Sequence, residues 1–218
     1  IFTIENGKMK FQEYYKMPAP QTSQENCVAH NGSLIPVPGR EIMVQSWYQG
    51  GISVFDWTDP NNPVEIAFQD YGPVAADQMA NGGSWSVYWY NGAIVSSEIA
   101  RGLDIFELEA NPYITQNEID AANSVKLDYL NAQGQPKFVW PHTFALSKAY
   151  VDQLERNKEL DNTTVEMARQ SLANAEAANP KVRKKILTEL ADKMDGMASG
   201  NEKVKMLTES VRGLASNQ

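Results

Sequence analysis

Two histidines and one cysteine are the scarcest reactive residues of the chain, and two of the three share one short run, Cys27-Val28-Ala29-His30-Asn31-Gly32. A thiol and an imidazole that close could act as nucleophile and base. No orienting third group or oxyanion element accompanies them, so a packed or disulfide-bonded cysteine and a hydrogen-bonding histidine is the plainer reading. His142 follows Pro141 at a change of composition and reads as a junction residue. Asp56 and Asp59, with Asn61 and Asn62, could offer oxygens to a calcium ion. Their spacing is not that of an EF-hand, and a turn rich in Asx and Pro accounts for it. Glu98 and Asp104 are the best acidic candidates, with a salt bridge from Glu98 to Arg101 or Arg40 as the plainer role. Gly50-Gly51 and Gly82-Gly83 lack the strand-to-helix context of a phosphate loop. The residues retained as ligand-binding candidates are His30, Glu98, Arg101 and Trp85. No motif calls for a cofactor, and Asp56 and Asp59 are the only weak metal candidates.

These residues must be placed by a chain of 218 residues with a net charge of −8. That length suits one or two domains, at roughly 100–200 residues each. Hydrophobic residues make up 42% and charged residues 21%, which argues against a largely disordered chain. The acidic balance argues against nucleic acid as a partner. No apolar run approaches the roughly 20 residues of a membrane-spanning helix. The opening IFTIENGKMKF lacks a basic and apolar leader and already reads as a strand, so the chain is expected to start inside a domain.

Composition changes near position 141. Residues 1–140 hold all five Trp and eight of the nine Tyr, with 7 Lys+Arg against 16 Asp+Glu, a net −9. Residues 141–218 hold 12 against 11, a net +1. The first part has strand chemistry and the second helix chemistry. Asn6-Gly7 and Asn91-Gly92 each sit between strand-like runs and predict hairpins. Further strands are expected over 41–47, 51–57, 64–70 and 101–108. In Ser84-Trp85-Ser86-Val87-Tyr88-Trp89-Tyr90 the alternation predicts Trp85 and Trp89 on one covered face.

The strands repeat. EIMVQSWYQGGISVFD (41–56) aligns without gaps on GAIVSSEIARGLDIFE (92–107), with Val44/Val95, Ser46/Ser97, Gly51/Gly102 and Phe55/Phe106 identical. A period near 50 residues with several strands per copy suggests propeller blades, with a β-sandwich of two similar hairpins as the alternative. At that period 140 residues hold fewer than three blades, and closed propellers typically need 4–8. The remaining blades are expected from sequence N-terminal to Ile1, another copy or another protein.

The second part predicts about four amphipathic helices, over 143–157, 163–178, from Pro180 to about 199, and 202–214. Val165, Ala168, Leu172 and Ala175 form one apolar stripe; Val182, Ile186, Leu190 and Met194 form another. Lengths and links suit an antiparallel bundle. Lys181, Arg183, Lys184 and Lys185 read as a docking patch or, more plainly, a solvated face. Met194, Met197 and Met206 read as core filling. The fold class expected is therefore α+β: partial β-propeller blades over 1–140, then an antiparallel helical bundle over 141–218, tethered by Gln133-Gly134-Gln135-Pro136.

The run CVAHNGSLIPVPGREIMVQSWYQGGISVFDWTDPNNPVEIAFQD, followed by GGSWSVYWYNGAIVSSEIARGLDIFEL, resembles the closing blades of bacterial LVIVD-repeat β-propeller proteins. TQNEIDAANSV and the tail from SKAYVDQLERN resemble the C-terminal part of the same proteins. The resemblance implies a secreted or cell-surface propeller with a helical module, further N-terminal blades, and a second cysteine upstream as disulfide partner of Cys27. It implies no activity. Three function classes stay open: an extracytoplasmic, non-enzymatic binding or interaction module; an accessory subunit on a larger assembly, membrane-bound or free; and an enzyme with a site at the propeller centre.

Overall fold

The computed structural model describes residues 1–134 and 137–216. The chain is α+β. Among the described residues, nine strands in three small antiparallel sheets are followed by five helices. Gln135 and Pro136, half of the expected tether, lie outside the described residues; before them, Gly134 N–H closes a turn on Asn131 O.

The chain forms two compact units: Ile1–Tyr113 with Lys126–Pro136, and Ile114–Val125 with Lys137–Gln218. Composition places residues 114–125 among the strands, yet they join the helical unit.

In the β unit, β1 (Phe2–Glu5) and β2 (Lys8–Phe11) form the first sheet, turned at Asn6 and Gly7, both at positive φ. Phe2 pairs with Phe11 and Ile4 with Met9, so all four apolar side chains share one face. That face is open, with Ile4 at 76% and Met9 at 72% exposure. The second sheet runs in order β3 (Gly32–Ile35), β4 (Ile42–Ser46), β5 (Ile52–Asp56), β6 (Val64–Gln69). The third runs β7 (Ser84–Tyr90), β8 (Ala93–Glu98), β9 (Gly102–Phe106). β3 has no counterpart in the sequence expectations, since its four residues GSLI carry too little alternation to stand out.

The internal repeat is a structural repeat. Val44 pairs with Val54 and Ser46 with Ile52; 51 residues on, Val95 pairs with Ile105 and Ser97 with Leu103. The second and third sheets are stitched side by side. β7's free edge would otherwise leave orphaned peptide groups. Asn31 Oδ1 accepts from Val87 N–H at 3.0 Å, Ser33 Oγ accepts from Trp89 N–H at 3.1 Å, and Ser46 Oγ donates to Trp85 O at 3.3 Å. On the far face of the second sheet, Tyr15 stacks on Phe55 at 3.8 Å and its hydroxyl lies 2.5 Å from Ser53 Oγ.

In the helical unit, α1 (Gln116–Asn123) packs on α2 (Phe144–Arg156). α3 (Asn162–Ala177), α4 (Pro180–Met197) and α5 (Glu202–Ser216) complete it. Side chains close the exposed N–H groups at four helix starts: Thr115, Thr143, Asp161 and Asn179. One core unites Leu154, Val165, Leu172, Leu190, Met194 and Val211. Of the expected stripes, Val165, Ala168, Leu172 and Ala175 are buried, whereas Val182 is 44% exposed. Met194 fills core, but Met197 and Met206 are exposed. Arg183 serves the fold: its guanidinium donates to Ala175 O and Ala178 O and so caps the end of α3. No described helix is long and apolar enough to cross a membrane.

Candidate functional site

Three aromatic rings meet at one corner of the β unit. His30 lies 4.8 Å from Trp85 and 5.3 Å from Tyr48, and the Tyr48 and Trp85 rings stand edge to face at 5.7 Å and 88°. Two of the four ligand candidates, His30 and Trp85, are thus in contact. Beside the corner is a cavity of about 340 Å³, lined by Asn26, Tyr48, Met79, Asn81, Trp85 and Ile99 among others.

The backbone builds this corner by departing from regular strand. Pairing of β7 with β8 slips between Ser84 and Ser86, which leaves Trp85 as the extra residue. A bulge turns its side chain off the alternating pattern. Trp89 is buried at 3%, but Trp85 is 49% exposed. This corrects the expectation of one covered face shared by Trp85 and Trp89; alternation fails at a bulge. Tyr48 is held at φ +50, where a bulky side chain is strained. Reciprocal hydrogen bonds with Ser84 hold it there: Tyr48 N–H to Ser84 O at 3.1 Å and Ser84 N–H to Tyr48 O at 2.7 Å.

Glu98 and Arg101 are brought together one layer below. The Glu98 carboxylate accepts from the Gly83 and Arg101 N–H groups, and Arg101 Nη1 reaches it at 3.4 Å. Gly83 sits at φ +88, and a Cβ there would lie 1.9 Å from the Tyr48 carbonyl carbon. Only glycine lets the two backbones approach so closely. Glu98 therefore positions Gly83, Gly83 seats Tyr48, and the next two residues carry the Tyr48 bridge and Trp85. Of the alternatives offered by the sequence, the salt bridge with Arg101 is the one formed. The void beside Glu98, Arg101 and Asp104 is about 10 Å³, room for one water.

Gln49 is the residue that sequence reasoning passed over. It is 2% exposed. Its Nε2 donates to Ala80 O at 2.8 Å, its Oε1 accepts from Val74 N–H at 2.8 Å, and its N–H donates to Asn26 O at 3.0 Å. Gln49 thus fixes two walls of the cavity, the 74–82 loop through its side-chain amide and the Asn26 segment through its backbone N–H. A Gln between Tyr and Gly in a turn reads as solvated; nothing local marks it as an anchor.

The remaining candidates lie elsewhere. Asp56 grips Arg40 at 2.6 Å and 3.1 Å and accepts from Thr58. Burial alone would raise its carboxyl, but Arg40 and Thr58 outweigh that and hold it below the usual carboxylate range. Asp59 Oδ1 accepts from Asn61 N–H, an Asx turn. Among the described residues no three His, Cys, Asp or Glu side chains cluster as metal ligands. Cys27 is a free thiol, pushed up to about 11 by burial and by Glu25 and Asp70. His142 packs on Gly213, where a Cβ would lie 2.2 Å from the imidazole.

The corner supplies aromatic faces, amides and a preformed hollow, which is equipment for holding a ligand. Compared with family models, curated proteins and solved structures, the chain matches none.

Proposed function

We propose that the chain is a non-enzymatic binding module whose ligand seat is the Tyr48–Trp85 corner. The observation that carries this reading is the bulge that turns a large aromatic outward, against a strained Tyr48, beside a preformed cavity. Bulges that re-aim a side chain and strained residues both concentrate at functional sites. The cavity volume falls in the range of ligand sites, roughly 300–1,000 Å³. We further propose that the second and third sheets are blades of a β-propeller of LVIVD-repeat type, working outside the cytoplasm and followed by an antiparallel helical bundle. The identical register of the two repeat copies and the lateral stitching of their sheets support the blades; the resemblance of the sequence supports the family and the compartment. A thermal-shift screen of neutral sugars, nucleosides, amino acids and organic acids tests the seat. A compound that raises Tm for the 218-residue chain and not for Trp85→Ala supports it. Equal shifts in both chains, or none, overturn it.

A second reading is favoured by a separate observation. Leu103 and Ile105 are 64% and 66% exposed on the outer face of the third sheet. Large apolar patches are rare on isolated soluble proteins. That face suits an accessory subunit docked on a larger assembly, or the missing blades, whether from the same gene product, another copy or a partner. Light scattering decides it: a monodisperse 24.3 kDa monomer, unchanged by Leu103→Lys with Ile105→Lys, sinks this reading.

A further inference from the structure

We infer that the Tyr48–Trp85 corner takes a neutral saccharide, one pyranose ring lying on the Trp85 face. This rests on the proposed ligand seat and adds the chemistry of its occupant.

The first argument is charge. Residues 1–140 carry a net charge of −9, yet no lining residue of this cavity is charged; Asn26, Tyr48, Met79, Ala80, Asn81, Gly82, Trp85 and Ile99 are all neutral. An anion would find no cationic partner there and would face the acidic surface. A charged ligand of either sign would enter without the counter-charge a desolvated ion requires.

The second argument is shape. The rings pack against one another at 4.8–5.7 Å instead of standing apart around a central space. A cage for a quaternary ammonium needs aromatic faces on several sides of the cation. This corner offers a flat platform, Trp85, with Tyr48 as an upright wall and His30 packed against both. A flat ligand that slides onto one face fits such a corner better than a sphere.

The third argument is hydrogen bonding. A pyranose has an apolar face of C–H groups, polarised by neighbouring oxygens, and a rim of hydroxyls that both donate and accept. The negative face of an indole attracts such C–H groups. Side-chain amides answer hydroxyls on both counts, with two donors and an acceptor each. The Asn81 side chain makes no hydrogen bond within the described residues and stands exposed at the cavity. Asn26 is steadied, since its Oδ1 accepts from Val28 N–H at 3.3 Å and its carbonyl is held by Gln49. Met79 and Ile99, 63% and 42% exposed, offer apolar flanks to further C–H surface.

Calorimetry and tryptophan fluorescence on the 218-residue chain test the inference, with cellotriose, mannotriose, galactotriose and triacetylchitotriose as neutral probes and choline and adenosine as competing chemistries. One neutral saccharide should bind at one site and perturb tryptophan emission. Trp85→Ala should weaken it at least tenfold, Trp85→Phe less, and Asn81→Ala several-fold, with unchanged denaturation midpoints showing that the fold persists. Choline or adenosine binding that depends on Trp85, with no saccharide binding, overturns the ligand class and leaves the seat standing. Binding of every probe that is absent or indifferent to Trp85 overturns both.

Discussion

The two copies of the internal repeat share sequence pattern and register but not environment. In the first, Ile52 and Val54 are 4% and 2% exposed; their counterparts Leu103 and Ile105 are 64% and 66% exposed. The burial is exchanged between faces: Ile94 and Ser96 are covered at 3% and 1%, while their counterparts Met43 and Gln45 are half-buried. Local chemistry built the same hairpin twice, and the neighbouring sheet decided which face became core. The first copy has the third sheet beside it. Leu103 and Ile105 leave the outer face of the third sheet exposed, and among the described residues no strand beyond β9 matches β6.

The largest test of this contrast is truncation. Ile52→Ala should cost about 2–5 kcal/mol through lost burial and a cavity, whereas Leu103→Ala should stay within about 0.5 kcal/mol. Urea denaturation of both variants measures it. Equal losses would mean that the outer face of the third sheet is covered in solution, by another copy or another protein.

The glycines that open the second strand of each copy sharpen it. A Cβ on Gly51, at φ +74, would lie 1.9 Å from Gln69 O; one on Gly102, at φ +108, would meet nothing within 4 Å. Both alanine variants carry backbone strain of about 1–3 kcal/mol. Gly51→Ala adds a backbone clash and should be the worse of the two by about 1–3 kcal/mol. Gln69 at the end of β6 crowds Gly51, and among the described residues no such strand lies beside Gly102.

The acids that close each copy come next. Asp56 holds Arg40, whose side chain is 7% exposed, while Glu107 is solvent-exposed. Asp56→Asn should cost about 1–3 kcal/mol and Glu107→Gln almost nothing. Because the Asp56 carboxyl is depressed in the fold, its contribution is present at neutral pH. It is lost as pH falls below the unfolded value of about 3.9 and through the folded one. Acid titration of Asp56→Asn should show a shallower loss over that window.

The smallest effect is a rate. Cys27 lies under the turn of the first copy, where a Cβ on Gly50 would come 3.3 Å from Cys27 Cβ. With the thiol pushed up to about 11, alkylation at pH 8 should be slow in the folded chain and fast in urea. Fast alkylation without urea would show that the turn is open.

Much of this was legible locally. Asn6-Gly7 and Asn91-Gly92 fixed two hairpins because both residues accept positive φ, and the offset of 51 foretold the paired registers. Helix stripes and starts were readable at Val165, Ala168 and Leu172, with Asp161 and Pro180 at the ends, since a helix repeats its own period. The candidate site is half visible: His30 and Trp85 stand out by residue type, and nothing in the sequence signals that they touch. Residues 114–125 misled because eight helical residues among aromatics carry too weak a period, and their place was set by packing against α2.

What the sequence determined by itself is what one residue imposes on its near neighbours: turns, caps, alternation, and the doubling of a hairpin. Tertiary structure alone decided that Trp85 sits on a bulge, that Gln49 ties two loops, that Glu98 spends its carboxylate on Gly83, and that Ile52 is core while Leu103 is not. Each depends on a group distant in the chain, and a periodic pattern records which side chains share a face but not what lies against that face.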